Sequence, residues 1–113
     1  MTAKSRILFR ADASPELGFG HVARIVALME EAEALGLEVI PLFGGEPSSV
    51  RSWGRDRGLT NLDVRDWSAT QIVQASEDPR VTAIVVDGPP LGRELIPKMP
   101  TRIRTILIDD AGK

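Results

Sequence analysis

The sequence predicts an open α/β sheet of about five parallel strands with helices on both faces. Two observations predict it. Short apolar runs alternate with longer segments of helical period, and glycine, proline or an acidic residue stands at most of the junctions between them. Strand, helix, strand in repetition calls for parallel strands joined by right-handed crossovers, which bury the sheet on both faces. At 113 residues the chain is long enough for one compact domain over 1–113 and too short for two.

Each element has its own signal. Ile7-Leu8-Phe9 is a buried-strand run. Over 21–35 the apolar residues Val22, Ile25, Val26, Leu28, Met29 and Ala32 recur at spacings of three and four, one face of a helix that Gly36 would close. A second strand over 38–43 stops at Gly44-Gly45, and Pro47-Ser48 opens a second helix that runs toward Arg57 and ends at Gly58. A third, weaker strand is expected over 61–64. Ser68-Ala69-Thr70-Gln71 matches a capping box, so a third helix begins there. The run over 81–86 is a fourth strand, stopped by Asp87-Gly88-Pro89-Pro90. A short helix over 91–99 ends before Pro100, and 103–108 is the fifth strand, followed by Asp109-Asp110.

Composition excludes several classes. Cysteine is absent, which removes a disulfide framework and thiolate metal sites and fits a reducing compartment. The formal net charge is −2 with both signs interspersed, so the basic stripe of a nucleic-acid binder is missing. The first apolar run ends at Arg10, far short of the roughly 7–15 residues of a secretory signal. No stretch approaches the ~20 apolar residues of a membrane span. The expectation is a soluble, cytoplasmic protein with neither metal nor cofactor.

In such sheets ligands sit beyond the carboxyl ends of the strands, which draws attention to Asp12, Asp87, Asp109 and Asp110. The junction between the first strand and the first helix carries the densest chemistry. Gly18-Phe19-Gly20 lets backbone approach a ligand, and the helix that follows offers free N–H groups to a phosphate or oxyanion. His21, the only histidine, stands at that helix start. The helix dipole and Arg24, one turn on, both disfavour imidazolium, leaving a neutral ring able to accept a proton. Asp12 would oppose that shift if it paired with His21, or would orient the ring.

Other readings fit the same residues. A Gly-x-Gly before a helix also serves as a plain tight turn, and a lone histidine as a plain helix-start residue. Gly18, Gly20 and Ala23 satisfy the dinucleotide pattern G-x-G-x-x-A. However, the segment 11–17 separates strand from glycine, and Leu42-Phe43-Gly44-Gly45 stands where the acidic residue belongs. A phosphate-receiver domain would use Asp87 but lacks the acidic pair after the first strand. Trp53 and Trp67 read more simply as core or interface residues than as sugar platforms.

The opening Ile7-Leu8-Phe9-Arg10-Ala11-Asp12-Ala13-Ser14, followed by Gly18-Phe19-Gly20-His21-Val22-Ala23-Arg24, resembles the start of the UDP-2,4-diacetamido-2,4,6-trideoxy-β-L-altropyranose hydrolases of pseudaminic acid biosynthesis. Related proteins are assigned to spore-coat polysaccharide biosynthesis. Val85-Val86-Asp87 and Ile108-Asp109-Asp110 extend the resemblance, while Gly88-Pro89-Pro90 stands where that family often carries a His-Tyr pair. The resemblance implies the N-terminal, Rossmann-like half of a GT-B-like architecture. A C-terminal domain beyond this chain would hold most of the uridine diphosphate.

It further implies metal-independent hydrolysis of a UDP-sugar to UDP and a free amino-sugar. His21 would be the general base for water, and Asp12, Gly18, Phe19, Gly20, Arg24 and Asp87 would face the substrate. Backbone N–H groups of the glycine loop would meet the developing phosphate charge. On this reading the 113-residue chain alone has little activity and needs a nucleotide-binding domain or a separate subunit. The alternatives are a non-catalytic or half-enzyme subunit of a two-component glycosyltransferase and an inactive interaction module.

Overall fold

A computed structural model of the chain describes residues 4–13, 20–59, 62, 64–65, 67–87 and 94–108, with the side chains of Ala13 and His21 outside that description. Four parallel strands form one sheet: β1 (Arg6–Ala13), β2 (Glu38–Gly45), β3 (Val81–Asp87) and β4 (Arg104–Ile108), in the order β2-β1-β3-β4. The helices are α1 (Gly20–Ala34), α2 (Pro47–Arg55) and α3 (Ala69–Ala75), with a 3-10 helix at Ile96–Lys98. The α/β architecture is the expected one, with four strands in place of about five.

Alternation along the central strands builds two cores. Phe9 and Ala11 of β1 join Val22, Ile25, Phe43 and Val85 under α1. Leu8 points the other way and joins Leu42, Ile72, Ile84 and Leu95 under α3 and the 3-10 segment. On α1 the buried residues Val22, Ile25, Met29 and Ala32 follow the helical repeat, but Leu28 is 40% exposed. It looks along the sheet toward β4, where no described helix covers it. An apolar groove of about 280 Å³ remains there, lined by Leu28, Leu35, Phe9, Val85, Ile106 and Ile108.

Helix ends follow local chemistry. Gly36 and Gly58 have φ of 84° and 80°. At each, a Schellman pair of bonds closes the helix: Leu37 N–H to Ala32 O with Gly36 N–H to Glu33 O, and Leu59 N–H to Gly54 O with Gly58 N–H to Arg55 O. Glu46 caps α2, its carboxylate accepting from Ser48 and Ser49, and those bonds hold its carboxyl below the usual range. The expected capping box at α3 is present, with Gln71 N–H donating to Ser68 Oγ at 3.2 Å and Ser68 N–H to Gln71 Oε1 at 3.0 Å.

One expectation needs correction and another refinement. The segment 61–64 does not join the sheet at its described positions. Leu62 and Val64 turn onto the α1-side core, and only one backbone bond, Arg65 N–H to Phe43 O, reaches the end of β2. Two apolar residues are too few for a ladder as well as an inward face. The helix over 91–99 is helical at 94–98, α-helical at 94–95 and 3-10 at Ile96–Lys98, where Pro97 lacks the N–H that would extend the α-helix; 91–93 lie outside the described residues.

Candidate functional site

From β1 the chain moves to β2 on one side, and β4 follows β3 on the other, so the order reverses between β1 and β3. Connections diverge at such a point and leave a crevice at the carboxyl ends of the strands. Helix α1 starts at Gly20, directly after the connection that leaves β1. Its first N–H groups have no acceptor within the helix. Among the described residues, a Cβ added at Gly20 would meet nothing within 4 Å, so their packing does not demand the glycine.

Arg24, in the second turn of α1, reaches across to the last residue of β3. Its Nε donates to Asp87 Oδ2 at 2.9 Å and its Nη2 to Oδ1 at 3.0 Å, a two-pronged clasp. The Asp87 side chain is 2% exposed and that of Arg24 is 38% exposed, so a buried carboxylate is neutralised by a guanidinium that still meets solvent. The clasp fixes the start of α1 relative to the end of β3.

A second pair lies on the opposite face of the sheet. Arg10 shares its face of β1 with Leu8 and Asp12, two residues apart each way. Its Nη1 donates to Asp12 Oδ1 at 2.5 Å and to Ala11 O at 2.9 Å. The register puts Asp12 opposite Gly44, and the pair lies over that glycine. A Cβ on Gly44 would stand 3.0 Å from both Arg10 Nη atoms and closer still to Asp12 Oδ1. Glycine is therefore required there by close approach, not by its dihedral angles.

The structure thus joins Arg24 to Asp87 and brings Gly20 to the same edge. Asp12 is at that edge too, but its carboxylate is held by Arg10 on the α3 side of the sheet. Gly18, Phe19, Asp109 and Asp110 lie outside the described residues, as does the side chain of His21, whose backbone forms the second position of α1. Sequence reasoning missed Arg10 and Gly44 as site residues. The available signal was a charged residue inside an apolar strand with a carboxylate two positions on. Trp53 and Trp67 are half-buried against the two cores, with Arg57 and Arg65 over their rings at 4.2 and 4.6 Å.

Among the described residues, no group of three or more potential metal-binding side chains converges, and no helix is long and apolar enough to cross a membrane. Compared with known proteins, the sequence matches no family model and no curated relative.

Proposed function

We propose that this chain forms the sugar-side half of a cytoplasmic nucleotide-sugar hydrolase site, with His21 as the general base. The supporting observation is the Arg24–Asp87 clasp, which joins two residues of the sequence pattern at the switch point and fixes the helix on which His21 stands. The neutral imidazole takes a proton from water as the bond between sugar and diphosphate breaks. Backbone N–H groups at the start of α1 face the charge that develops on the leaving diphosphate. On this reading Gly20, Arg24 and Asp87 belong to the sugar side, together with Gly18 and Phe19, which lie outside the described residues, and a second domain or subunit holds the uridine diphosphate.

Isothermal titration tests the reading with UDP and a UDP-amino-sugar, on wild type and His21→Ala. The sugar nucleotide is expected to bind, UDP alone to bind weakly or not at all, and the substitution to alter the binding heat. Absence of sugar-nucleotide binding in the wild type would sink it. A second reading, a half-enzyme subunit paired with a nucleotide-binding partner, draws on the open apolar groove beside Leu28, Leu35 and Ile106. It predicts that the reconstituted pair transfers the sugar to an acceptor and does not release it free.

A further inference from the structure

The face of α1 that turns toward α2 carries charges that its own helix disfavours. Glu30 and Glu33 are three residues apart, so they share a face and repel one another. Glu33 also falls in the last turn of α1, where the negative end of the helix dipole opposes an anion, and that turn holds no basic residue. Among the described residues, neither carboxylate has a hydrogen-bond or ion-pair partner. Local helix chemistry therefore gives no reason for either residue to be acidic.

Both glutamates line an open cavity of about 570 Å³ between α1 and the end of α2, within the size range of small-molecule sites. Ala23 and Ala27, one helical turn apart, form part of the α1 wall, and their short side chains leave room between the helices. Trp53 of α2 and Leu59 stand on the other wall. The indole is half-buried against the α1-side core. Arg57 lies over it at 4.2 Å from the ring centre and donates from Nη1 to Trp53 O at 3.0 Å. That arginine is the one basic residue on the lining and is held on the α2 side, so the cavity keeps an excess of negative charge on its α1 side.

We infer that the cavity between α1 and α2 binds a small organic cation, with Glu30 and Glu33 taking its ammonium group and Ala23, Ala27 and Trp53 holding its apolar body. An ammonium group there offsets the repulsion between the two carboxylates, and contact with the alanine and indole surfaces removes the apolar body from water. An anionic ligand meets repulsion from both glutamates instead. None of these residues belongs to the proposed hydrolase site, so the two readings fail separately.

The test is a nitrogen-15 NMR titration of the 113-residue chain, whose two tryptophans are Trp53 at the cavity and Trp67 on the opposite face of the sheet. Phenethylammonium is the probe, with phenethyl alcohol and hydrocinnamate as its neutral and anionic counterparts, all at constant ionic strength. The Trp53 indole N–H signal is expected to shift and saturate with phenethylammonium, while that of Trp67 stays in place. Phenethyl alcohol should bind about tenfold more weakly, and the anion more weakly still. Glu30→Gln with Glu33→Gln should weaken the amine about tenfold and leave the alcohol unaffected. Ala27→Leu, at an exposed position, should fill the cavity and abolish the shift. The inference is overturned by a Trp53 signal that does not move, that drifts together with Trp67 without saturating, or that responds equally to amine and alcohol. Unchanged amine binding in the double glutamine variant overturns it as well. The comparison of amine with alcohol uses wild type alone, so it holds whether or not a variant folds.

Discussion

Removing Arg24 should expose how much the clasp holds. Arg24→Met keeps the length of the aliphatic stem and deletes the guanidinium, leaving Asp87, 2% exposed, without its two bonds from that residue. Breaking a fully buried pair costs about 3–5 kcal/mol, whereas an exposed pair contributes about 0–1. With one partner buried and the other 38% exposed, solvent relieves part of the loss, and about 2–3 kcal/mol is expected. In urea this lowers the unfolding midpoint by roughly 1–2 M. The decisive comparison is the same substitution in an Asp87→Ala background. There Arg24 no longer neutralises Asp87, and its loss should cost clearly less than it does with Asp87 in place. If Arg24→Met costs as much in the Asp87→Ala background as it does with Asp87 in place, the clasp is not what holds α1 to β3.

Three further perturbations test other parts of the fold. Gly44→Ala puts a methyl group against Arg10 and Asp12; Asp12 can swing toward solvent but buried Arg10 cannot, so a loss of about 1–3 kcal/mol is expected in thermal unfolding. Ser68→Ala removes the oxygen that accepts from Gln71 N–H and should cost about 1 kcal/mol, with Gln71→Ala adding little in the same background. Asp78, like Glu46, contributes to the pH dependence in acid. Bonds from the Arg80 side chain and backbone, with Arg6 nearby, hold its carboxyl below the ordinary 3.8. Its stabilising share is therefore complete above the unfolded value and is lost as pH falls through the folded one. Asp78→Asn should flatten the acid limb of a stability-versus-pH curve below about pH 4 and leave its shape near neutrality unchanged.

Much of this fold was legible because its signals are local. Schellman closures at Gly36 and Gly58 depend on residues that tolerate positive φ, and the α3 cap on a serine and a glutamine three apart, so a short window contains the whole cause. The sheet runs were legible because strands covered on both faces are mostly apolar. Pairing was not local. Leu62 and Val64 have strand-like spacing, but the core beneath α1 takes both side chains, and spacing alone cannot report that competition. The site divides in the same way. Residues 18–24 announce themselves through glycine and histidine. Arg10 and Gly44 are 34 positions apart in the chain and acquire meaning only when the β1–β2 register lays one pair over the other. The clasp spans a still longer separation, from Arg24 to Asp87, and a helix-surface arginine looks the same in sequence whether or not a buried aspartate awaits it.

Arg24 thus has two separable contributions to the proposed chemistry. It fixes the rotation of α1, the helix whose second position is His21. Under the proposed function, a substitution that loosens the clasp displaces that helix start. The Arg24 side chain is also 38% exposed, near where a sugar nucleotide would bring charge under the proposed function. Placement alone would make Arg24→Met and Asp87→Ala equivalent, because each opens the clasp. If the guanidinium also meets the ligand, Arg24→Met loses a charge-assisted bond that Asp87→Ala retains, worth about 1.5–3 kcal/mol, or roughly tenfold or more in affinity. The expected result is that Arg24→Met weakens UDP-amino-sugar binding at least tenfold beyond Asp87→Ala, measured by isothermal titration on variants shown to be folded. Equal losses would confine Arg24 to holding the helix and leave the ligand's charge to the N–H groups at the start of α1.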